Sequence, residues 1–256
     1  MSELKIHMFA CLSDNYCYLL HDADAGLTAV IDTPDVAAIE RALDDTGWTL
    51  THILNTHHHW DHAGGNLELK SKTGCTIVGP GADADRIPGI DIEVNDGDSY
   101  AFGTHQAKVY DTPGHTRGHI VYHFEDDGVA FVGDTLFAMG CGRLFEGTPQ
   151  QMWNSLQKLM AWPDDTKVYC AHEYTQTNAR FALTVEPQNQ DLVKRAEEVD
   201  RLRADGKPTI PTTIGLEKRT NPFLRPMSKD LKSTVGLVGA SDVDVFAETR
   251  RRKDNF

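Results

Sequence analysis

Residues 56 to 66 read THHHWDHAGGN, directly after the strand-like run THILN at 51 to 55. Imidazole and carboxylate are the ligands of borderline divalent metals, and His57, His59, Asp61 and His62 bring more lone pairs into one short segment than a single tetrahedral ion uses. Two ions are therefore expected. Alternate residues of an extended segment project the same way, which assigns His57 and His59 to one ion and, after a turn, Asp61 and His62 to the other. Gly64 and Gly65 let the backbone bend tightly before the next helix. An affinity tag also strings histidines together, but it sits at a terminus and lacks the interleaved Asp. Further along the chain, His115 lies in a turn after AKVYD, Asp134 ends VAFVGD and His172 ends KVYCAH. Each alone reads as an ordinary strand-end residue. Together they complete the set: one carboxylate can bridge two ions roughly 3.5 to 4 Å apart, a role that suits Asp134, while His115 completes the first ion's shell and His172 the second's.

Around these positions the chain alternates in short β-branched and aromatic runs. Nine candidate strands fall at 5–9, 15–20, 27–32, 51–55, 75–79, 107–111, 119–124, 129–134 and 167–172. Helical patterns lie at 35–45, 65–72 and 149–160, the last with Trp153, Leu156, Leu159 and Met160 on one face. Hairpin signals such as EDDGVA at 125–130, with helices between later strands, predict an α/β protein of two packed sheets flanked by helices. After about residue 173 helical patterns dominate, at 175–185, 190–205 and 241–253, around the Pro- and Thr-rich loop KPTIPTTIG. Two domains are expected, 1–173 and a helical appendage over 174–256.

The 256 residues are 40% hydrophobic, enough for a sizeable core. A formal net charge of −13 gives no global field toward phosphate backbones or anionic lipid. Nucleic acid is therefore not an expected partner, and no membrane span is expected either, since no apolar run reaches the roughly 18 residues that one needs. Five scattered cysteines argue against a disulfide framework and for a reducing cytoplasm.

The series His57, His59, Asp61, His62, His115, Asp134 and His172 resembles the metallo-β-lactamase superfamily. THHHWDHAGGN and TPGHT at 112–116 are superfamily-wide; GDTLFAMGCGRLFEG at 133–147, AHEYT at 171–175 and EKRTNPFLR at 217–225 are similar to the glyoxalase II (hydroxyacylglutathione hydrolase) family within it. That resemblance covers essentially the whole chain. It implies an αββα sandwich with a small C-terminal helical domain, and hydrolysis of S-D-lactoylglutathione to D-lactate and glutathione in methylglyoxal detoxification. Two divalent ions are implied, zinc first, with iron or manganese suiting the same ligands. Asp134, Asp61 and His59 then stand nearest the chemistry.

Chemically, a water shared by two divalent ions is expected to ionise near neutral pH and attack the thioester carbonyl. No GxSxG elbow is present, and none is needed. Asp32, ending LTAVID, resembles the superfamily's acidic support of the ligand loop but reads equally as a turn residue, and is left outside the site. His58 and His119 are taken as supporting or surface residues. By resemblance the glutathione portion is held by Arg143, Tyr174, Arg250 and Lys253. Without the resemblance, Arg250 and Lys253 read as a basic helix end complementing the macrodipole. Arg143 stands where the family often has Lys, and Phe145 where it often has Tyr, so charge is kept and one hydroxyl is lost. A monomer acting on a small glutathione thioester is expected. The alternatives are a one-iron persulfide dioxygenase, which would leave Asp61, His62 and His172 outside the metal shell, an RNA-processing nuclease, which the charge opposes, and a non-catalytic metal module, which seven donors do not fit.

Overall fold

Antiparallel pairing opens the chain and parallel pairing follows it. In the computed structural model, which describes residues 2 to 256, β1 (Lys5–Cys11) and β2 (Asn15–Asp22) form a hairpin on β3 (Leu27–Ile31). After α1 (Val36–Thr46), β4 (His52–Leu54) lies parallel to β3. The short α2 (Trp60–Ala63) and α3 (Asn66–Thr73) lead to β5 (Thr76–Pro80) and, after a 3-10 turn at Gly81–Arg86, to the edge strand β6 (Ile92–Val94). A second, antiparallel meander runs through β7 (Ser99–Phe102), β8 (His105–Asp111), β9 (Ile120–Phe124) and β10 (Val129–Gly133).

Two compact units result: one running to Asp111 and resuming over Arg117–Gly133, the other made of Thr112–Thr116 and Asp134–Phe256. In the first, Leu19, Val30, Ile53 and Ile77 of the sheet pack with Ile39, Ala42 and Leu69 of α1 and α3. The meander covers the sheet's other face. There the Tyr18 and Phe131 rings lie 5.4 Å apart, and the Tyr122 hydroxyl donates to Asn55 O at 3.0 Å. Asp35 caps α1 by accepting from Ala38 N at 3.0 Å, and Gly47 ends it in the left-handed region. Parallel strands buried on both faces read as continuous apolar runs, which is why LTAVI and TIVG were legible.

The second unit holds the hairpin β11 (Leu136–Phe137) and β12 (Gly140–Cys141), then α4 (Pro149–Met160) and β13 (Lys167–Cys170). It continues with α5 (Thr175–Val185), α6 (Gln190–Ala204), β14 (Thr212–Thr213), α7 (Ile214–Thr220), α8 (Lys229–Val235) and α9 (Asp242–Asp254). A Thr148–Gln151 capping box starts α4. Phe181, Phe223, Phe246 and Trp153 form an aromatic core. The β11–β12 hairpin is pinned from beneath: buried Glu217 accepts from Met139 N at 2.7 Å, and Asn221 Nδ2 donates to Phe137 O and Gly140 O at 3.1 and 2.9 Å.

Every strand and helix expected from the sequence is present. The elements it did not announce, β6, β7, β11, β12, β14, α2, α7 and α8, are at most seven residues long. Nucleation is too costly for short segments to show a propensity signal, so tertiary packing decides them. Among the described residues no helix is long and apolar enough to cross a membrane.

Candidate metal centre

The parallel strands β3 and β4 end level, with Ile31 beside Leu54, and Leu54 lies beside Val78 of β5. Ligands of open parallel sheets gather at such carboxyl ends, and here the next residues are Asp32, Asn55 and Thr56. Asp32 adopts φ 58°, a left-handed conformation that Asp tolerates better than most residues. Its carboxylate accepts from Thr56 N at 2.8 Å, Thr56 Oγ1 at 2.7 Å and His62 Nδ1 at 2.8 Å. One buried carboxylate thereby holds both ends of the 56–62 loop.

These bonds also fix protons. His62 gives its Nδ1 proton to Asp32, leaving the Nε2 lone pair for a ligand. Thr56 has one hydroxyl proton and gives it to Asp32, so its oxygen accepts from His57 Nδ1 at 3.1 Å, and His57 also keeps Nε2 for ligation. His57 and His62 are buried, with ring centroids 4.0 Å apart. His57 Nε2 lies 3.1 Å from His59 Nδ1, and His62 Nε2 lies 3.6 Å from Asp61 Oδ2. The four donors thus lie together, His57 within reach of both His59 and His62. Asn15 Nδ2 donates to Asp61 Oδ2 at 3.2 Å, a contact with no signal in the sequence. His119 is buried and stacked on His57 at 4.7 Å.

In the second unit, Asp134 sits between two histidines. His115 Nε2 lies 3.3 Å from Asp134 Oδ2, and His172 Nε2 lies 3.4 Å from Asp134 Oδ1. Arg143 O accepts from His115 Nδ1 at 2.8 Å, so the His115 lone pair faces a carboxylate oxygen. Two facing acceptors repel until a cation or proton comes between them. Gly142 permits this crowding, because a Cβ there would run into the Asp134 carbonyl and come within 3.1 Å of the His115 ring. The donor chemistry of both units fits divalent metal binding.

Of the four residues expected to hold substrate, Tyr174 is part-exposed and stacks face to face on His172, centroids 4.7 Å apart. Arg143 is exposed, with Nε 3.3 Å from Asp254 Oδ1. Arg250 is buried: NH1 donates to Cys141 O at 2.9 Å, and Nε and NH2 donate to Asp254 Oδ1 at 3.1 and 2.9 Å. Lys253 Nζ lies 5.4 Å over the Phe181 ring and 5.2 Å over Phe256. Burial, and then the Arg250 charge, lower its pKa to about 8. All five cysteines are buried and none forms a disulfide.

The comparisons with known proteins agree in kind. Residues 13–172 match the model of the metallo-beta-lactamase superfamily, and residues 173–256 match that of the hydroxyacylglutathione hydrolase C-terminus. A hydroxyacylglutathione hydrolase of Maricaulis maris is 58% identical over 100% of both chains, and one of Methylococcus capsulatus is 54% identical over 99% of each. Among solved structures, ETHE1 from Myxococcus xanthus is similar at a TM-score of 0.68 and 26% identity, over 99% of this chain and 100% of that one.

Proposed function

This chain belongs to the hydroxyacylglutathione hydrolases of the metallo-β-lactamase superfamily, and from that premise we propose that it cleaves S-D-lactoylglutathione with two divalent ions held by seven side chains. In this reading His57, His59 and His115 would hold one ion, Asp61, His62 and His172 would hold the other, and Asp134 would contribute to both. The observation that carries this reading is Asp134 itself, whose two oxygens each face a different histidine. Zinc is the ion we favour, since imidazole and carboxylate donors suit it. When bound, such a pair supplies Lewis acidity, polarising a carbonyl and acidifying water. Asp134, Asp61 and His59 stand nearest the reacting atoms.

The protein's own part is orientation and recognition. Water adds to the thioester carbonyl carbon and the C–S bond breaks, giving D-lactate and the glutathione thiol. Tyr174, whose ring stacks on His172, is the residue we assign to donate a hydroxyl to the substrate. Arg143, Lys253 and the remaining N–H groups of Arg250 provide the cations that an anionic tripeptide needs in an acidic protein. We assign residues 174–256 to substrate binding and residues 1–173 to the chemistry. A reducing cytoplasm fits the unbridged cysteines, and a monomer is the state we propose. Elemental analysis paired with thiol release from S-D-lactoylglutathione tests the reading: two ions per chain and ready cleavage are expected, and full activity with one ion or none overturns it.

Two further expectations arise here. Burial pushes the Cys141 thiol up to about 11 and the Cys170 thiol up to about 12, so neither is a thiolate at neutral pH. Cys170→Ser should keep kcat within about threefold; a loss beyond about a hundredfold, roughly 2.7 kcal/mol, in folded, metal-loaded protein would show that a thiol takes part.

Lys253 touches a part of the substrate whose charge does not change, so its contact is equal in ground and transition states and acts on KM alone. A charge-assisted bond of about 1.5 to 3 kcal/mol, reduced by solvent at a part-exposed site, makes Lys253→Ala raise KM about tenfold. Below pH 8 the ammonium is charged and binds. Above it the charge is lost, so KM should climb with pH while kcat stays level, and Lys253→Arg should remove that rise. The same lowering from 10.5 to about 8 makes the unfolded chain hold the extra proton between those values, so this group adds stability as pH rises through that window.

A further inference from the structure

His58 lies between two proposed ligands and is not one itself. Strand-like alternation sends it to the side opposite His57 and His59, where the 3-10 turn Gly81–Arg86 meets it. Arg86 NH1 donates to His58 Nε2 at 3.1 Å. A ring nitrogen that accepts from a guanidinium carries no proton, so the His58 proton is on Nδ1, which lies 3.2 Å from Asp83 Oδ2. Arg86 is in turn fixed by Asp83 through Nε at 3.1 Å and NH2 at 2.6 and 2.7 Å, and Arg117 Nε adds a bond to the same carboxylate at 3.0 Å.

Asp83 is fully buried, yet two guanidiniums neutralise it. The backbone is shaped to admit it, since any Cβ at Gly118 would collide with the Asp83 carboxyl group. A buried charge that costs this much partnering, placed 25 residues downstream of a metal-ligand loop and touching only its non-ligating histidine, needs a reason beyond packing.

We propose that Asp83 is a positioning residue for the metal loop, acting through Arg86 and His58 to fix the directions in which His57 and His59 point. The His58 ring packs edge-on against its neighbours, centroids 6.4 Å from His57 and 4.8 Å from His59. Holding the middle ring through Nε2, with Nδ1 beside the Asp83 carboxylate, therefore restricts the two outer ones. This inference rests on the reading that His57 and His59 hold one ion. It adds a second anchor beside Asp32, which reaches His57 through Thr56 and holds His62 directly.

The test is a zinc titration of metal-free protein against a chromophoric chelator, on wild type, Asp83→Asn, His58→Leu and His58→Gln. Outer partners of metal ligands typically contribute about 10- to 100-fold in affinity. Asp83→Asn and His58→Leu should each weaken one of the two ions about tenfold and leave the other unchanged. His58→Gln, which keeps an acceptor for Arg86, should recover most of the loss. His58→Leu leaves Asp83 with both arginines, so it reports even if Asp83→Asn fails to fold. Unchanged affinity for both ions in His58→Leu would overturn the proposal. Equal weakening of both ions together with a fall in Tm would also overturn it, by reducing the cluster to general support. A wild type that binds fewer than two ions would instead sink the metal reading on which it stands.

Discussion

Asp134→Ala is expected to lose both ions and to lower kcat/KM on the order of 10⁴-fold, about 5.5 kcal/mol. The proposed assignment gives this residue a share in each ion, through the oxygen facing His115 and the oxygen facing His172. His115→Ala, by contrast, should weaken chiefly the ion it shares with His57 and His59, because its Nε2 faces one oxygen only. Metal content of the two variants, measured after dialysis against a weak chelator, separates the cases. Equal loss of both ions in the two variants would remove Asp134 from its bridging place.

The second large effect belongs to Asp32→Ala. Three donors, Thr56 N, Thr56 Oγ1 and His62 Nδ1, would lose their buried acceptor. At about 1 to 3 kcal/mol for each stranded group, destabilisation of about 3 to 6 kcal/mol is expected, since water will reach some of them. Metal affinity should drop about 100-fold as well, because His62 loses the carboxylate that sets its tautomer. Asp32→Asn tests the proton logic more gently. Its oxygen can still accept, but its amide faces groups that themselves donate. A denaturant midpoint unchanged in Asp32→Ala would contradict the role drawn here.

How much of this was legible beforehand depends on the kind of signal. The ligand-rich segment at 56–62 was plain because its residue types have few other uses in such density. Backbone alternation suggested pairing His57 with His59, whereas pairing Asp61 with His62 needed a turn between them as well. Asp32 was ambiguous, since an Asp ending a strand is common and only its φ of 58° and its bonds to Asn55, Thr56 and His62 give it a task. Asn15 and Asp83 were invisible. Their contacts join residues 46 and 34 positions apart, and nothing local marks a residue whose partner is chosen by topology. Arg250 shows the converse limit. Its spacing from Lys253 suggested two cations on one helix face, yet Arg250 is buried and bonded to Cys141 O while Lys253 lies over aromatic rings.

The hairpin of Leu136–Cys141 has a consequence for the cost of binding. Loops that close over a ligand must give up backbone freedom of about 1 to 2 kcal/mol per residue when they order, and that sum is subtracted from affinity. Here Glu217 and Asn221 hold the turn at Met139, Phe137 and Gly140 in the free protein. The entropy of that segment is lost during folding, where it is shared with the whole core, and not at each encounter with substrate. Association should then show a small heat-capacity change relative to the contact area, and an on-rate set by diffusion and charge with no slow ordering step.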